Sequence, residues 1–290
     1  MTALPARLRS VLYMPGANER ALEKARGIPA DALILDLEDA VAPEFKEEAR
    51  ERVCRAVVAD AYGERIVTIR VNGTRTAWHD EDLRAAAVAG PDGIVVPKVG
   101  SAAEVLRIEA ALAAAGAPDR TRIWAMLESP SAVLAAHEIA AASERLAVLV
   151  MGTNDLVYEL HAGDVPGRES LLTSLSLCLL GARAADKLIL DGVYNDLRDP
   201  AGFEAECAQG RRLGFDGKTL IHPGQVEVCN RVFSPSDVEL DHARRVVEAF
   251  EEAESAGAGV VTVDGRMIEN LHVESARRVL AAGADRRGDR

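Results

Sequence analysis

Short apolar segments alternate with longer, alanine-rich segments along most of this 290-residue chain. The short segments are typical of buried strands, and the longer ones repeat their apolar residues at helical spacing. We predict eight strands, at 10–16, 32–39, 65–72, 93–99, 122–129, 146–153, 188–194 and 217–223. Helices are predicted between them, among others at 45–60, 101–115, 131–142, 168–186 and 201–213.

This order of elements predicts an α/β fold, a (β/α)8 TIM barrel, because eight strands that each precede a crossover close naturally on themselves. The loop signals "AGPDG" and "LGFDG" stand before the fourth and eighth strands. No glycine-rich phosphate loop follows the first strand, so a Rossmann sheet is disfavoured.

The chain continues beyond the barrel count with a C-terminal hairpin-helix extension. A helix at 236–256 is followed by "GVVTVDGRMIEN", in which Asp264-Gly265 is a strong hairpin signal, and by a last helix at 271–282. We therefore expect a catalytic barrel domain at 1–235 and an extension at 236–290 that serves as a lid or a subunit contact.

Charge and cysteine content narrow the class of partner and compartment. A formal net charge of −12 makes nucleic acid and anionic membrane surfaces unfavourable partners. The chain has neither an apolar run long enough to span a bilayer nor a basic, apolar leader. Its four cysteines are widely spaced without a CxxC pair, and we interpret them as reduced core residues of a cytoplasmic protein.

Charged residues stand late in several apolar runs, where the strands of a barrel end and chemistry gathers. They are Asp36, Glu38, Arg70, Lys98, Glu128 and, just beyond strand six, Asp155. A structural ion network is one interpretation of this set. The other is a functional site, which the position of all six at the same end of the barrel favours.

Glu128 and Asp155 end consecutive strands, so their carboxylates should converge. Two carboxylates with no nearby His or Cys fit Mg²⁺ or Mn²⁺ better than Zn²⁺. Arg70 offers a planar fork for a substrate carboxylate or a developing oxyanion. His222 ends strand eight and either braces its loop or contacts substrate; the other histidines fall in loops or helices.

Several motifs together resemble those of the citrate lyase β subunit, the malyl-CoA and citramalyl-CoA lyases and the broader HpcH/HpaI aldolase superfamily. They run through nearly the whole chain: "RSVLYMPGANER", "DALILDLEDAVAPEFKEEAR", "IRVNG", "VVPKV", "LESP", "GTNDL", "LDGVYNDLRDPAGF", "GFDGKTLIHPGQ" and "HARRVVEAFEEAESAGAGVVTVDGRMIEN".

The resemblance implies a TIM barrel in which Glu128 and Asp155 hold Mg²⁺ and Arg70 binds the substrate carboxylate. It also places Tyr13 and Arg20 near the entrance for an acyl-CoA, although Tyr13 could equally be a packing residue at the barrel mouth.

The acidic "DLED" segment matches the family as well. We expect Asp36, Glu38 and Asp39 to orient Arg70, Lys98 and the water around the metal.

One position departs from the family pattern. Many of these lyases carry a catalytic Asp in an "MxD" segment that enters the neighbouring subunit's active site, and here the matching residue in "GRMIEN" is Glu269. Glu269 could perform the same proton transfer from a longer side chain, or it could be a solvated charge beside the hairpin.

The function expected from these residues is Mg²⁺-dependent carbon–carbon cleavage of a citryl-, malyl- or citramalyl-type 3-hydroxy-acyl thioester, carried by CoA or a carrier protein, to a 2-oxo acid and a shorter acyl thioester. Arg70 would stabilise the enolate and Glu269 would take the hydroxyl proton, in a homotrimer or hexamer. Thioester hydrolysis at the same site and a non-catalytic scaffold subunit are the alternatives.

Overall fold

The computed structural model describes residues 8–163, 165–255 and 261–284, which divide into two compact units, one ending at Arg231 and the other beginning at Val232. In the first unit eight parallel strands close into a barrel in sequence order, which confirms the predicted fold. The strands are β1 Ser10–Pro15, β2 Ala32–Asp36, β3 Ile66–Arg70, β4 Gly93–Val96, β5 Arg122–Leu127, β6 Leu146–Met151, β7 Leu188–Asp191 and β8 Gly217–Leu220.

Helices connect these strands. They are α1 Glu19–Ala25, α2 Lys46–Val58, α3 His79–Ala89, α4 Ala102–Ala114, α5 Pro130–Leu134, α6 Ala136–Ala141, α7 Thr153–Glu159, α8 Leu172–Ala184, α9 Pro200–Leu213 and α10 Val226–Phe233, with 3-10 turns at Pro43–Phe45, Pro166–Leu171 and Pro223–Gln225. Side-chain caps fix several helix starts: Ser101 accepts from the Glu104 N–H of α4, and Asp199 accepts from the Gly202 N–H of α9.

The barrel lumen is filled by alternate residues of the strands, as the period of two along a strand requires. Ile34, Val95, Trp124 and Val150 belong to one buried apolar cluster that spans the lumen. The charged residues Asp36 and Arg70 stand where this packing ends, at the C-terminal ends of β2 and β3.

Two predicted helices differ from the observed ones. The range 131–142 is divided at Ala135 into α5 and α6. The range 168–186 is helical only from Leu172, because Gly167 and Arg168 before it have left-handed φ angles of 80° and 56°. Such angles cannot continue an α-helix.

The second unit contains α11 Asp237–Ser255, β9 Val261–Val263, β10 Arg266–Ile268 and α12 Asn270–Ala284. The predicted hairpin is confirmed, since β9 and β10 pair antiparallel through Asp264 and Gly265 with φ of 51° and 76°. Arg245 of α11 donates to both carboxylate oxygens of Asp264, at 2.7 and 3.0 Å, and so ties the turn to that helix.

The cysteines are free, as the sequence predicts, and Cys178, Cys207 and Cys229 are buried while Cys54 is partly exposed. Across the described ranges, the helices lack the combination of length and hydrophobicity that a membrane-spanning segment needs.

Ile34→Ala should test how far the barrel depends on its lumen. Ile34 is fully buried in the lumen cluster, so removing its outer carbons should lower the free energy of unfolding by about 2–5 kcal/mol. Val88→Ala, on the exposed face of α3, is the control and should change it by less than about 0.5 kcal/mol. Urea denaturation followed by circular dichroism measures both, and equal small effects would contradict a packed lumen.

Candidate active site

A cavity of about 440 Å³ opens at the C-terminal ends of the barrel strands. Its lining includes Tyr13, Asp36, Asp39, Arg70, Glu128, Asn154, Asp155 and Asn195. The structure thus brings together side chains from β1, β2, β3, β5 and the segments after β6 and β7. A larger groove of about 750 Å³ lies outside the barrel between α2 and α3, but Val58, Val88 and neighbouring alanines give it a mainly apolar lining.

Arg70 is the most heavily engaged cation of this cavity. Its Nε and Nη2 donate to the two oxygens of Asp36 at 2.6 and 2.7 Å, which is a bidentate pair between facing residues of β2 and β3. Nη1 lies 2.6 Å from Glu38 and 3.4 Å from Asp39. Burial acts to lower the pKa of Arg70, but Asp36 and the other anionic neighbours outweigh it and hold that pKa above its ordinary value.

This geometry restricts what Arg70 can offer a substrate. The edge of the guanidinium formed by Nε and Nη2 is already taken by Asp36, so the planar fork expected from the sequence is directed at the protein itself. Nη1 is engaged by Glu38 and Asp39, so the second N–H of Nη2 is the donor of this guanidinium that the contacts above leave for a substrate oxygen. The Tyr13 ring lies 4.8 Å from the Arg70 Cζ atom and packs against the guanidinium face.

The Lys98 side chain lies between two carboxylates, one that follows β2 and one that follows β6. Its backbone φ is 58°, an uncommon value for a residue with a side chain, and its N–H donates to Glu128 Oε1 at 2.7 Å. Its Nζ lies 3.4 Å from Glu38 and 3.7 Å from Asp155. Burial acts to lower the Lys98 pKa, but these carboxylates raise it, so Lys98 remains a cation among them.

Glu128 is a buried carboxylate whose ionised form is disfavoured by its surroundings. Burial, followed by the charges of Asp155 and Glu38, raises the pKa of Glu128 to about 8. The Glu128 side chain also packs directly on Gly152 at the end of β6, where a Cβ atom would collide with it. The carboxylate is therefore fixed in position without enough positive charge nearby to balance it.

A divalent cation fits this arrangement. Glu128 Oε1 accepts a hydrogen bond from Lys98 N–H, Asp155 lies in the first turn of α7 with its side chain 41% exposed, and oxygen donors of this kind suit Mg²⁺. Nowhere in the described residues do three or more His, Cys, Asp or Glu side chains form a group able to hold a metal. Water and substrate would have to complete the coordination of a cation held by Glu128 and Asp155.

The sequence did not predict the buried hydrogen bonds that Lys46 makes to the segment around Glu38. Lys46 Nζ donates to the carbonyls of Leu37 and Glu38 at 2.8 and 2.7 Å and to Asn72 Oδ1 at 2.7 Å. Burial lowers the Lys46 pKa, and the bonds to two carbonyls hold the turn that carries Glu38. The only signal was an ordinary Lys at the start of a charged helix, which gives no indication that it points inward.

Asn154 and Asn195 lie in the motifs "GTNDL" and "LDGVYNDLRDPAGF", but the sequence did not predict that they contact each other. Asn195 Nδ2 donates to Asn154 Oδ1 at 2.8 Å, with a weaker reciprocal contact of 3.4 Å. Both amides line the cavity, so they bring polar groups from the first turn of α7 and from the loop after β7 to its wall.

Three other residues named from the sequence, Arg20, His222 and Glu269, have surroundings of their own. Arg20 is exposed in α1 and is not among the lining residues. His222 Nδ1 accepts from the Gly224 N–H at 3.0 Å and caps the turn Pro223–Gln225, so the structure favours the bracing interpretation. Glu269 belongs to the second unit, where its side chain is exposed just before α12.

The fold and the cavity define a TIM-barrel protein with an acidic site at the C-terminal ends of its strands, where barrel enzymes carry out their chemistry. Residues 9–223 match the family model of the HpcH/HpaI aldolase/citrate lyase family. The chain belongs to this family of lyases and thioesterases, as its motifs indicated.

Relatives of known name extend this assignment. The chain is 53% identical over 273 residues to a (3S)-malyl-CoA thioesterase of Cereibacter sphaeroides strain KD131, covering 94% of this chain and 93% of the relative. It is 39% identical over 278 residues to the citrate lyase β subunit of Escherichia coli K12, with 94% and 92% covered.

Solved structures agree with the fold. The structure of the protein CitE from Mycobacterium tuberculosis in complex with magnesium, acetoacetate and coenzyme A superimposes with a TM-score of 0.80 at 29% identity, covering 97% of this chain and all of that one. The citrate lyase β subunit of the same organism, complexed with oxaloacetate and magnesium, gives 0.67 at 30% identity, covering 79% of this chain and 99% of that one.

Gly152→Ala should test whether the position of Glu128 matters for cation binding. The added methyl would collide with the Glu128 side chain, so the affinity for Mn²⁺, a probe for Mg²⁺, should fall roughly 10- to 100-fold. Gly27→Ala, where the nearest atom to the added carbon lies 3.9 Å away, is the control and should bind Mn²⁺ normally. Calorimetric titration measures both affinities, and equal values would show that Glu128 does not hold the ion.

Proposed function

We propose that the protein is a Mg²⁺-dependent enzyme that hydrolyses a malyl-type acyl-CoA thioester to the free hydroxy acid and CoA. The observation that carries this proposal is the convergence of Glu128 and Asp155 on one cavity at the barrel mouth. Two relatives favour hydrolysis over the lyase reaction expected from the sequence, since the one at 53% identity is named a thioesterase and the citrate lyase β subunit is at 39%. Magnesium and coenzyme A are named together for CitE, which supports both as ligands here.

Glu128 and Asp155 would hold the metal. When bound, Mg²⁺ would supply the positive charge that polarises substrate oxygens and balances the carboxylates around it. Glu128 is suited to this role because burial, followed by the charges of Asp155 and Glu38, raises its pKa, and a cation beside it would stabilise the ionised carboxylate. The role of orienting Arg70 and the water of the site is assigned to Asp36, Glu38, Asp39 and Lys98.

The remaining side chains would bind and orient the thioester. The second N–H of Arg70 Nη2 would donate to an oxygen of the acyl group, and Tyr13 would keep the guanidinium in place. Lys98 keeps positive charge between Glu38 and Asp155. Water would attack the acyl carbon, the carbon–sulfur bond would break, and the proton of the water would end on the thiol of CoA. Arg20 lies on the exposed side of α1, where contact with the nucleotide end of CoA is the remaining possibility.

Carbon–carbon cleavage is the second candidate, favoured by the citrate lyase relatives and by the position of Glu269 in its motif. In that reaction a base takes the hydroxyl proton, the carbon–carbon electron pair passes to the acyl fragment, and the resulting enolate is protonated. Glu269 of a neighbouring chain in a homotrimer or hexamer would be the base. A carrier protein in place of CoA is the alternative thioester partner.

Glu128→Ala and Asp155→Ala should each remove Mg²⁺-dependent turnover, because each loses one of the two protein ligands of the ion. The assay incubates the protein with malyl-CoA with and without Mg²⁺ and identifies the products by mass spectrometry. Malate with free CoA shows hydrolysis, whereas a 2-oxo acid with acetyl-CoA shows cleavage. Glu144→Ala, beside β6 at the opposite end of the barrel, is the control, and full activity of either ligand variant would defeat the metal assignment.

Glu269→Gln separates the two reactions further. Removing a general base should slow carbon–carbon cleavage roughly 100- to 10,000-fold while leaving Mg²⁺ affinity unchanged. Steady-state rates of 2-oxo acid formation, measured beside the exposed-charge control Glu274→Gln in the same second unit, give the answer. Unchanged cleavage would assign Glu269 to the solvated surface.

A further inference from the structure

A buried ion cluster lies outside the barrel lumen, behind the cavity wall. It consists of Arg168, Asp191, Glu206 and Lys218, and we call it the outer ion cluster. Leu190 belongs to the lumen cluster, so its neighbour Asp191 at the end of β7 faces the surrounding helices instead. Asp191 and Lys218 are fully buried and Arg168 is 7% exposed.

The contacts in this cluster are close and mutually balanced. Asp191 accepts from Arg168 Nη1 at 2.6 Å through one oxygen and from Lys218 Nζ at 3.1 Å through the other. Lys218 also donates to Glu206 at 2.7 Å. Burial acts to raise the pKa of Asp191, but Lys218 and Arg168 outweigh it and lower that pKa, so the pair stays ionised. Buried groups satisfied in this way have little freedom to move.

Arg168 reaches the cluster at a cost in backbone conformation. Its φ of 56° is unfavourable for a residue with a Cβ atom, and it follows Gly167 with φ of 80°. Gln209 of α9 secures the same turn, because it accepts from Arg168 Nη2 at 2.8 Å and donates to the Gly167 carbonyl at 2.8 Å. The connection from α7 to α8 is therefore held in a strained form by buried polar contacts, and strain of this kind persists only where the surroundings impose it.

The outer ion cluster also supports the first turn of α7, through Gly192. Asp191 Oδ1 accepts from the Gly192 N–H at 2.8 Å and so fixes the chain as it leaves β7. Gly192 packs so closely on Thr153 that a Cβ atom at 192 would collide with the Thr153 side chain. Thr153 is the first residue of α7, two positions before Asp155. Asp191 thus contacts Arg168, near the end of the connection, and Gly192, which packs on Thr153 at its start.

We propose that Arg168 and Asp191 are positioning residues that hold the stretches 152–163 and 165–171 against β7 and thereby set the place of Asp155 in the cavity. The inference rests on the proposed metal site, since Asp155 is one of its two ligands. Neither residue lines the cavity, so both act through the backbone of this segment and not on the substrate.

The test compares Arg168→Asn with the wild-type protein. Asn accepts a left-handed φ better than most residues, so this variant removes the cluster contacts while sparing the backbone conformation. Amide hydrogen exchange of the peptide 152–160, followed by mass spectrometry, should become at least several-fold faster. Mn²⁺ affinity should fall roughly 10- to 100-fold.

Two further variants make the result specific. Arg168→Lys keeps the charge and should restore part of the exchange protection and of the Mn²⁺ affinity, even if Arg168→Asn folds poorly. Arg183→Met is the matched control, because Arg183 belongs to the same connection's helix α8 but pairs with Asp216 at 2.9 Å, away from the cavity. Arg183→Met should change neither the hydrogen exchange of the peptide 152–160 nor the Mn²⁺ affinity.

The outcomes separate this inference from the proposed function. Unchanged exchange at 152–160 in Arg168→Asn, or unchanged Mn²⁺ affinity despite faster exchange, would overturn the positioning role. If the wild-type protein fails to bind Mn²⁺ while exchange responds as expected, the metal site is what fails, and the anchoring of this segment by the outer ion cluster stands.

Discussion

Charge balance at the mouth of the barrel is the constraint on which the rest of the structure depends. The carboxylates at the strand ends outnumber the cations among them: Asp36, Glu38, Asp39, Glu128 and Asp155 stand around Arg70 and Lys98. Unpaired charges in a partly buried cavity are costly, and burial together with Asp155 and Glu38 raises the pKa of Glu128, so a proton or a cation relieves the imbalance. This electrostatic balance favours the divalent cation that we propose for the site.

The sequence predicted the architecture well because barrel strands are defined by local apolar runs and their order. It also predicted that residues such as Glu128 and Asp155 would meet, since neighbouring strand ends are close in any barrel. Asp36 was expected to orient Arg70, but the sequence could not show that it takes the Nε and Nη2 edge of the guanidinium that a substrate carboxylate would need. The buried position of the Lys46 side chain and the left-handed backbone of Arg168 could not be predicted either. Both depend on contacts between segments that are distant in sequence.

Hydrolysis and carbon–carbon cleavage share most of their requirements at this site. In the proposed site, both would need the substrate oxygens polarised and the thioester held beside Arg70, and both would use the same pair of metal ligands. They differ in the nucleophile or base that meets the substrate from the open side of the cavity. The identity of that group, and not the barrel itself, decides which bond is broken, which explains how one family includes enzymes of both names.

The left-handed backbone at Lys98 has a consequence for how such a site can diverge. The hydrogen bond that steadies Glu128 comes from the main-chain amide, so every amino acid except proline retains the donor at this position. The ammonium group, by contrast, depends entirely on the side chain. A residue that tolerates this left-handed backbone can therefore change the charge beside the cavity while the main-chain support of the buried carboxylate is kept.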